Sequence, residues 1–277
     1  MALELIEALS LPGDVTKTNE DAFGHDPDAA VVLDGTTPLG DPLMPGNSDA
    51  AWIATFGARR LLAHLRDGEG ARHALRGALA DAQKSFNALR RGPPEDVWQT
   101  PCASMMLAAQ DENAIEFLWL GDCAALLSQG GAVQVIGENF DKKAEEGSRA
   151  RTLSRARGKV ATDRSHFLDA LRAARNRVNS GNYWLFSPDV RAATHVSRRI
   201  VKVQPGAQLL LASDGFLALA SDYGVYSADS LMQACQDKGL AALGEELRAI
   251  ENADALGEKF PRFKKSDDAT ALMLRVA

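Results

Sequence analysis

Cysteine is scarce in this sequence: Cys102, Cys123 and Cys235 are the only three in 277 residues, and none forms a CxxC spacing. So odd and sparse a set argues against a disulfide framework and fits a reducing compartment, with buried structural thiols expected. An excess of positive charge is also missing. Lys and Arg total 31 against 37 Asp and Glu, and the net charge of −6 gives no overall drive toward nucleic acid or an anionic membrane. No apolar run approaches the roughly 20 residues of a membrane span. The opening MALELIEALSLPGD has no basic region, long apolar stretch or signal-cleavage pattern, so a cytoplasmic protein is expected. Aromatics make up 6% of the chain, and no aromatic-rich sugar platform accompanies its acids, which counts against a glycosidase. The five histidines, His25, His64, His73, His166 and His195, lack metal-pair or triad spacing; packing or surface roles are expected of them. Repeats of 20–50 residues and low-complexity linkers are absent as well.

What is present suffices for a substantial core, because 277 residues at 45% hydrophobic content need no staples. One domain over 1–277 is expected. Strand patterns fall at residues 3–9 and 29–33. Ser48 is placed to cap a helix over 49–65, whose Trp52, Ile53, Phe56, Leu61 and Leu65 recur at helical spacing, and a second helix is expected over 71–89. From Cys102 the short apolar runs CASMMLAAQ, AIEFLWLGD, CAALLSQ and VQVI, broken by turn residues, predict an antiparallel meander. A helix capped by Thr162, carrying Phe167, Leu168, Leu171, Ala174 and Val178, is expected next. Strand signals follow at YWLF (183–186), RRIVKV and QLLLAS, then helices around 230–236 and 240–252, then a last strand over 269–276. Strands and helices come in blocks, which favours an α+β sandwich over a doubly wound sheet.

Four acidic signatures carry the chemistry: TNED at 18–21, VVLDGTT at 31–37, LLLASDG at 209–215 and SDDAT at 266–270. VVL is a buried-strand pattern that delivers Asp34, and Gly35 lets the backbone turn and approach a ligand. LLLAS delivers Asp214 in the same way, with Gly215 opening the next helix. A single strand-end Asp-Gly is usually a turn or a cap. Two such tips joined by Asp267, Asp268, Glu20 and Asp21 are a set of carboxylates that repel unless cations compensate them, and hard oxygen donors favour magnesium or manganese over zinc.

At these residues the chain resembles the metal-dependent serine/threonine phosphatases of the protein phosphatase 2C family, in a divergent bacterial-type form. TNEDAF, VVLDGTT, WLGDCAALL, LLLASDGF and SDDATALMLRV stand in family order over about 14–277. The resemblance implies a four-layer αββα sandwich, two antiparallel sheets flanked by helices, with a variable flap-like segment at about 137–182. It implies two Mn²⁺ or Mg²⁺ ions, with a third, weaker one in some members. Asp34 would bridge the two ions, the Gly35 carbonyl would bind one, and Asp214 and Asp267 the other. Glu20 would hold the centre through a ligand or water contact, Asp21 and Asp268 would support it, and Asp122 would help hold a third ion. The implied reaction is hydrolysis of phosphoserine or phosphothreonine in a phosphoprotein by a metal-bridging hydroxide, with no phosphoenzyme and no nucleophilic Ser or Cys.

The sequence departs from that pattern in three places. Thr16 stands where family members carry a phosphate-clamping arginine; the adjacent Lys17 offers only a point charge as a phosphate contact. Thr36 replaces a histidine of eukaryotic members, and Cys123 and Ala124 replace the Ser and Arg that usually follow Asp122. The stretch 141–164 concentrates Lys142, Lys143, Arg149, Arg151, Arg155, Arg157 and Lys159, either a solvated surface or a substitute source of phosphate attraction. LDGTTPL is also similar to the first motif of the haloacid dehalogenase superfamily, but Val32 sits where that chemistry needs a nucleophilic Asp. The alternative from another class is a catalytically impaired phosphatase-like module that binds a phosphoprotein or regulator.

Overall fold

The computed structural model describes residues 1–137 and 167–277. Among these residues ten strands form two antiparallel sheets of five. In chain order the strands are β1 (Leu3–Leu11), β2 (Asp21–Asp26), β3 (Ala29–Gly35), β4 (Ala103–Asp111), β5 (Ala114–Leu120), β6 (Ala124–Gln129), β7 (Ala132–Ile136), β8 (Ser197–Lys202), β9 (Gln208–Ala212) and β10 (Ala269–Val276). One sheet runs β1-β10-β9-β6-β7 and the other β2-β3-β4-β5-β8. Among the described residues there are six α-helices: α1 (Asp49–Arg66), α2 (Ala71–Leu89), α3 (Leu168–Arg175), α4 (Asp214–Ser221), α5 (Ala228–Lys238) and α6 (Leu240–Ala253). No helix among them is long and apolar enough to cross a membrane.

Period-two alternation builds the layers. Along β3, Val32 joins Met106, Phe117, Leu209, Leu211 and Leu272 in the core between the sheets. Val31 and Leu33 point the other way, against Ile53, Leu61, Leu75 and Leu79 of α1 and α2. On the far sheet, Leu126, Leu210 and Met273 face Phe216, Leu231 and Leu243 of α4, α5 and α6. Three apolar layers thus separate four layers of structure, as the αββα expectation requires. Because β3, β4, β6 and β9 are covered on both faces, they read as continuous apolar runs.

The helix expected from Ser48 forms, and the Ser48 hydroxyl accepts the Ala51 N–H at 3.3 Å. The expected 71–89 span is α2 itself. β2 was not expected: DAFGHD is rich in residues that avoid strands, and its pairing with β3 from Ala29 to Asp34 decides its conformation. YWLF, expected as a strand, forms only isolated bridges, Ser180 with Tyr183 and Ala103 with Phe186. From Met105 onward β5 already occupies that flank of β4, which leaves only the start of the strand, where Ala103 pairs with Phe186. The expected cap Thr162 and the basic residues of 141–164 lie outside the described residues, and α3 begins at Leu168.

Candidate metal centre

The centre lies at one edge of the sandwich, where strand ends from both sheets deliver acids. β3 ends in Asp34-Gly35, and β2 begins at Asp21, the register partner of Asp34. On the other flank Ser104 of β4 pairs with Asp34. Asp122 follows β5 after Gly121, whose φ of +79° would strain any other residue and lets the chain reverse tightly above Ser104. Asp214 is the first residue of α4, directly after β9. Asp34, Asp122 and Asp214 each offer an oxygen, and the three atoms lie within 4.8 Å of one another. That spacing suits shared coordination of a hard cation.

Around this trio the other sequence-derived acids hold different posts. The Asp268 carboxylate accepts the Gly13 N–H at 2.7 Å and the Glu20 N–H at 2.6 Å, tying the chain before β2 to the entrance of β10. Glu20 accepts the Ser48 hydroxyl at 2.6 Å, and its carbonyl accepts the Gly35 N–H at 3.0 Å. A Cβ on Gly35 would fall 2.5 Å from that carbonyl and 2.6 Å from the Ala50 carbonyl, so this position admits only glycine without movement. Asp267 stands outside the compact trio with an oxygen 2.6 Å from the Lys264 ammonium. It is near enough for its charge to act on Asp21 and Asp34. Lys17, highly exposed, faces Asp14 at 3.7 Å, and the Thr16 hydroxyl donates to the same carboxylate at 2.7 Å.

Sequence reasoning missed the groups that orient these acids. The Ser104 hydroxyl donates to Asp122 at 2.6 Å, and the Ser213 hydroxyl donates to Asp21 at 2.7 Å. Ser213 had a signal, since it directly precedes Asp214; Ser104 had none until strand register placed it beside Asp34. Arg248 of α6 donates to the main-chain carbonyls of Leu11, Pro12 and Asp267, fixing the loop that carries Asp267.

Burial and mutual repulsion dominate the electrostatics of the buried acids. Burial, then repulsion from Asp214 and Asp21, pushes Asp34 well above the ordinary carboxylate range. Burial raises Asp21 to about 8 against the opposing Ser213 hydrogen bond, with repulsion from Asp267, Asp268 and Asp214 adding to it. The second Asp21 oxygen is buried without a hydrogen-bond partner among the described residues. Clustered, partly protonated oxygen donors with one such orphan fit Mg²⁺ or Mn²⁺. Burial, then the charges of Asp34 and Asp122, pushes the Cys123 thiol up, so it stays protonated and is a poor nucleophile.

A pH signature follows. A carboxyl raised on folding binds its proton more tightly in the folded chain; its contribution is complete below the unfolded value of 3.8 and is lost as pH rises through about 8. In chelator, the melting temperature should fall across that window. Asp21→Asn should flatten the fall, and saturating Mn²⁺ should reverse it, because the cation prefers the deprotonated acids. A melting temperature in chelator that climbs between about pH 5 and 8 would contradict this account of the centre.

Comparison with known proteins agrees with this fold. A family model described as protein phosphatase 2C matches residues 15–249. The serine/threonine phosphatase PstP/Ppp of Mycobacterium tuberculosis superposes with a TM-score of 0.60 at 16% identity, covering 100% of this chain and 99% of that one. The PstP catalytic domain in complex with 2 manganese ions gives 0.57 at 17% identity, again over 100% and 99%. PppA of Pseudomonas aeruginosa, a regulatory component of its T6SS, gives 0.57 at 18% identity over the same shares. No curated protein matches the chain by sequence. At these identities the structures establish a shared fold.

Proposed function

Because the chain belongs to the protein phosphatase 2C family, we propose that it is a metal-dependent phosphatase that hydrolyses phosphoserine or phosphothreonine in proteins. The observation that carries this reading is the convergence of Asp34, Asp122 and Asp214 within 4.8 Å at the edge of the sandwich. Two Mn²⁺ or Mg²⁺ ions, with a third, weaker ion as a further option, would be held by Asp34, Asp122, Asp214 and Asp267, with the Gly35 carbonyl and Glu20 at the margin. When bound, such ions supply Lewis acidity that activates water and neutralises charge on the phosphoryl oxygens.

The chain's own residues supply position. Asp34, on a strand buried from both sheet faces, is the rigid pivot, since both flanking strands pair through its register. Ser104 and Ser213 orient Asp122 and Asp21 by donating to one oxygen of each, and the second oxygen of Asp21 has no hydrogen-bond partner among the described residues. Asp268 holds the Glu20 main chain against the β10 entrance. Beside the acids a cleft of about 390 Å³, lined by Lys17, Thr18, Thr37, Asn47, Ser48 and Lys264 among others, accommodates a phosphorylated side chain. No covalent intermediate is needed: the Ser213 hydroxyl is engaged with Asp21 and the Cys123 thiol is buried. One domain accounts for the whole chain in this reading, because β1 and β10 pair its two ends, Leu3 against Val276. A cytoplasmic setting suits its three unpaired, buried cysteines.

One observation favours the second reading, an impaired module that binds a phosphoprotein. At the place of the phosphate-clamping arginine, Thr16 closes a turn onto Asp14, and Lys17 faces the same carboxylate. Hydrolysis of an aryl phosphate and a phosphothreonine peptide in Mn²⁺, measured beside Asp214→Asn, decides between them. The enzyme reading expects turnover at least about 10²-fold above the variant, a few kcal/mol of transition-state charge stabilisation. Equal rates with Mn²⁺ bound to the wild type would leave the binding module.

A further inference from the structure

Lys264 was not among the expected site residues, yet its ammonium lies 2.6 Å from an oxygen of Asp267 and it lines the same cleft. Asp267 has two further anchors besides the lysine. Arg248 holds its carbonyl at 2.8 Å, and its Oδ1 also accepts the Asp268 N–H at 2.9 Å. The loop is therefore anchored independently of the lysine, and the ammonium sits at the end of a flexible four-carbon stem. Asp267 also lies outside the compact trio, though its charge still reaches Asp21 and Asp34.

We propose that Lys264 is a tethered cation that neutralises Asp267 in place of a divalent ion, so that an ion can enter at Asp267 only by displacing the lysine. The proposal rests on the metal-centre reading above and deepens it, because it makes the ions unequal. The first is held by Asp34, Asp122 and Asp214; the second, at Asp267, is weakened by competition with Lys264. The side chains are 30% and 38% exposed, so the pair exchanges with water and is cheap to break. The second site is thus weakened and not closed. Phosphatase activity would then follow divalent-ion concentration in a range where the first site is already full, and displacement would free an ammonium beside the cleft.

Mn²⁺ titration by calorimetry, with free Mn²⁺ read independently by electron paramagnetic resonance, tests this without any activity assay. Lys264→Met should tighten the weaker ion about threefold to fivefold, the upper scale of an exposed ion pair, and leave the tighter ion within about twofold. Lys264→Arg retains the charge and should stay near wild type. Lys265→Met removes the same charge from the exposed neighbouring position and should change neither ion by more than about twofold. Should Lys264→Met fold poorly, Lys264→Gln carries the same expectation. The proposal is overturned if neutralising Lys264 leaves the weaker ion unchanged or weakens it, or if Lys265→Met has an equal effect, which would reduce the result to long-range charge. Asp34→Asn separates the two levels. If wild type binds ions, Asp34→Asn loses them and Lys264→Met matches wild type, only the lysine proposal fails; if wild type binds none, or Asp34→Asn binds them unchanged, the metal centre itself fails and the proposal with it.

Discussion

Asp34→Asn is expected to lower Mn²⁺-dependent turnover by about 10³-fold or more, the equivalent of several kcal/mol of lost charge stabilisation, while the protein still folds. Asparagine keeps the shape of the side chain but offers a neutral oxygen where two neighbouring acids need a shared cation. In the metal-free protein the same change removes a buried acid repelled by Asp214 and Asp21, so the melting temperature in chelator should hold or rise. Loss of function with retained or increased stability separates a metal ligand from a folding element. Steady-state rates, Mn²⁺ titration and thermal melts on one preparation provide the check. Turnover within about tenfold of wild type would remove Asp34 from the centre.

Gly215→Ala should produce the second largest effect. A Cβ at this position would lie 1.9 Å from the Asp268 carbonyl oxygen, and backbone on both sides leaves no flexible side chain to yield. Either the first turn of α4 moves, taking Asp214 with it, or the Asp268 loop moves. Asp268 holds the Gly13 and Glu20 N–H groups, so the second route also loosens the approach to β2. Forced overpacking of this kind costs about 1–3 kcal/mol, or several degrees of melting temperature in a chain this size. Displacing a metal ligand by even about 1 Å should lower kcat/KM about 10²-fold. Gly92→Ala, where an added Cβ meets nothing within 4 Å, serves as the control and should change neither quantity. Near-normal activity in Gly215→Ala would mean that the contact between α4 and the Asp268 loop does not set the geometry.

Much of the fold was legible because burial on two faces leaves an unmistakable trace. VVL, LLLA and ALMLRV read as covered strands, and they are β3, β9 and β10. The helices α1 and α2 carry a cap and apolar spacing that need no tertiary context. β2 and the YWLF segment failed in opposite directions for one reason: a strand at the margin of a sheet is decided by whether a neighbouring edge is open to it. For DAFGHD the edge of β3 was open; for YWLF the flank of β4 was already filled by β5.

In the centre, local sequence was enough to nominate the acids, because an Asp-Gly at the tip of a buried strand has few other uses when it recurs beside other acidic tips. Which acids meet was a different matter. Resemblance assigned Asp122 to a third, weaker ion; in the structure its carboxylate groups with those of Asp34 and Asp214, while Asp267 faces Lys264. Chain sequence by itself determined the layers and the strand-end carboxylates, since hydrophobic period and charge are local properties. Tertiary structure alone decided the grouping of those carboxylates, the serines that orient them and the lysine beside Asp267, because each depends on the register between strands and the reach of side chains from separate loops.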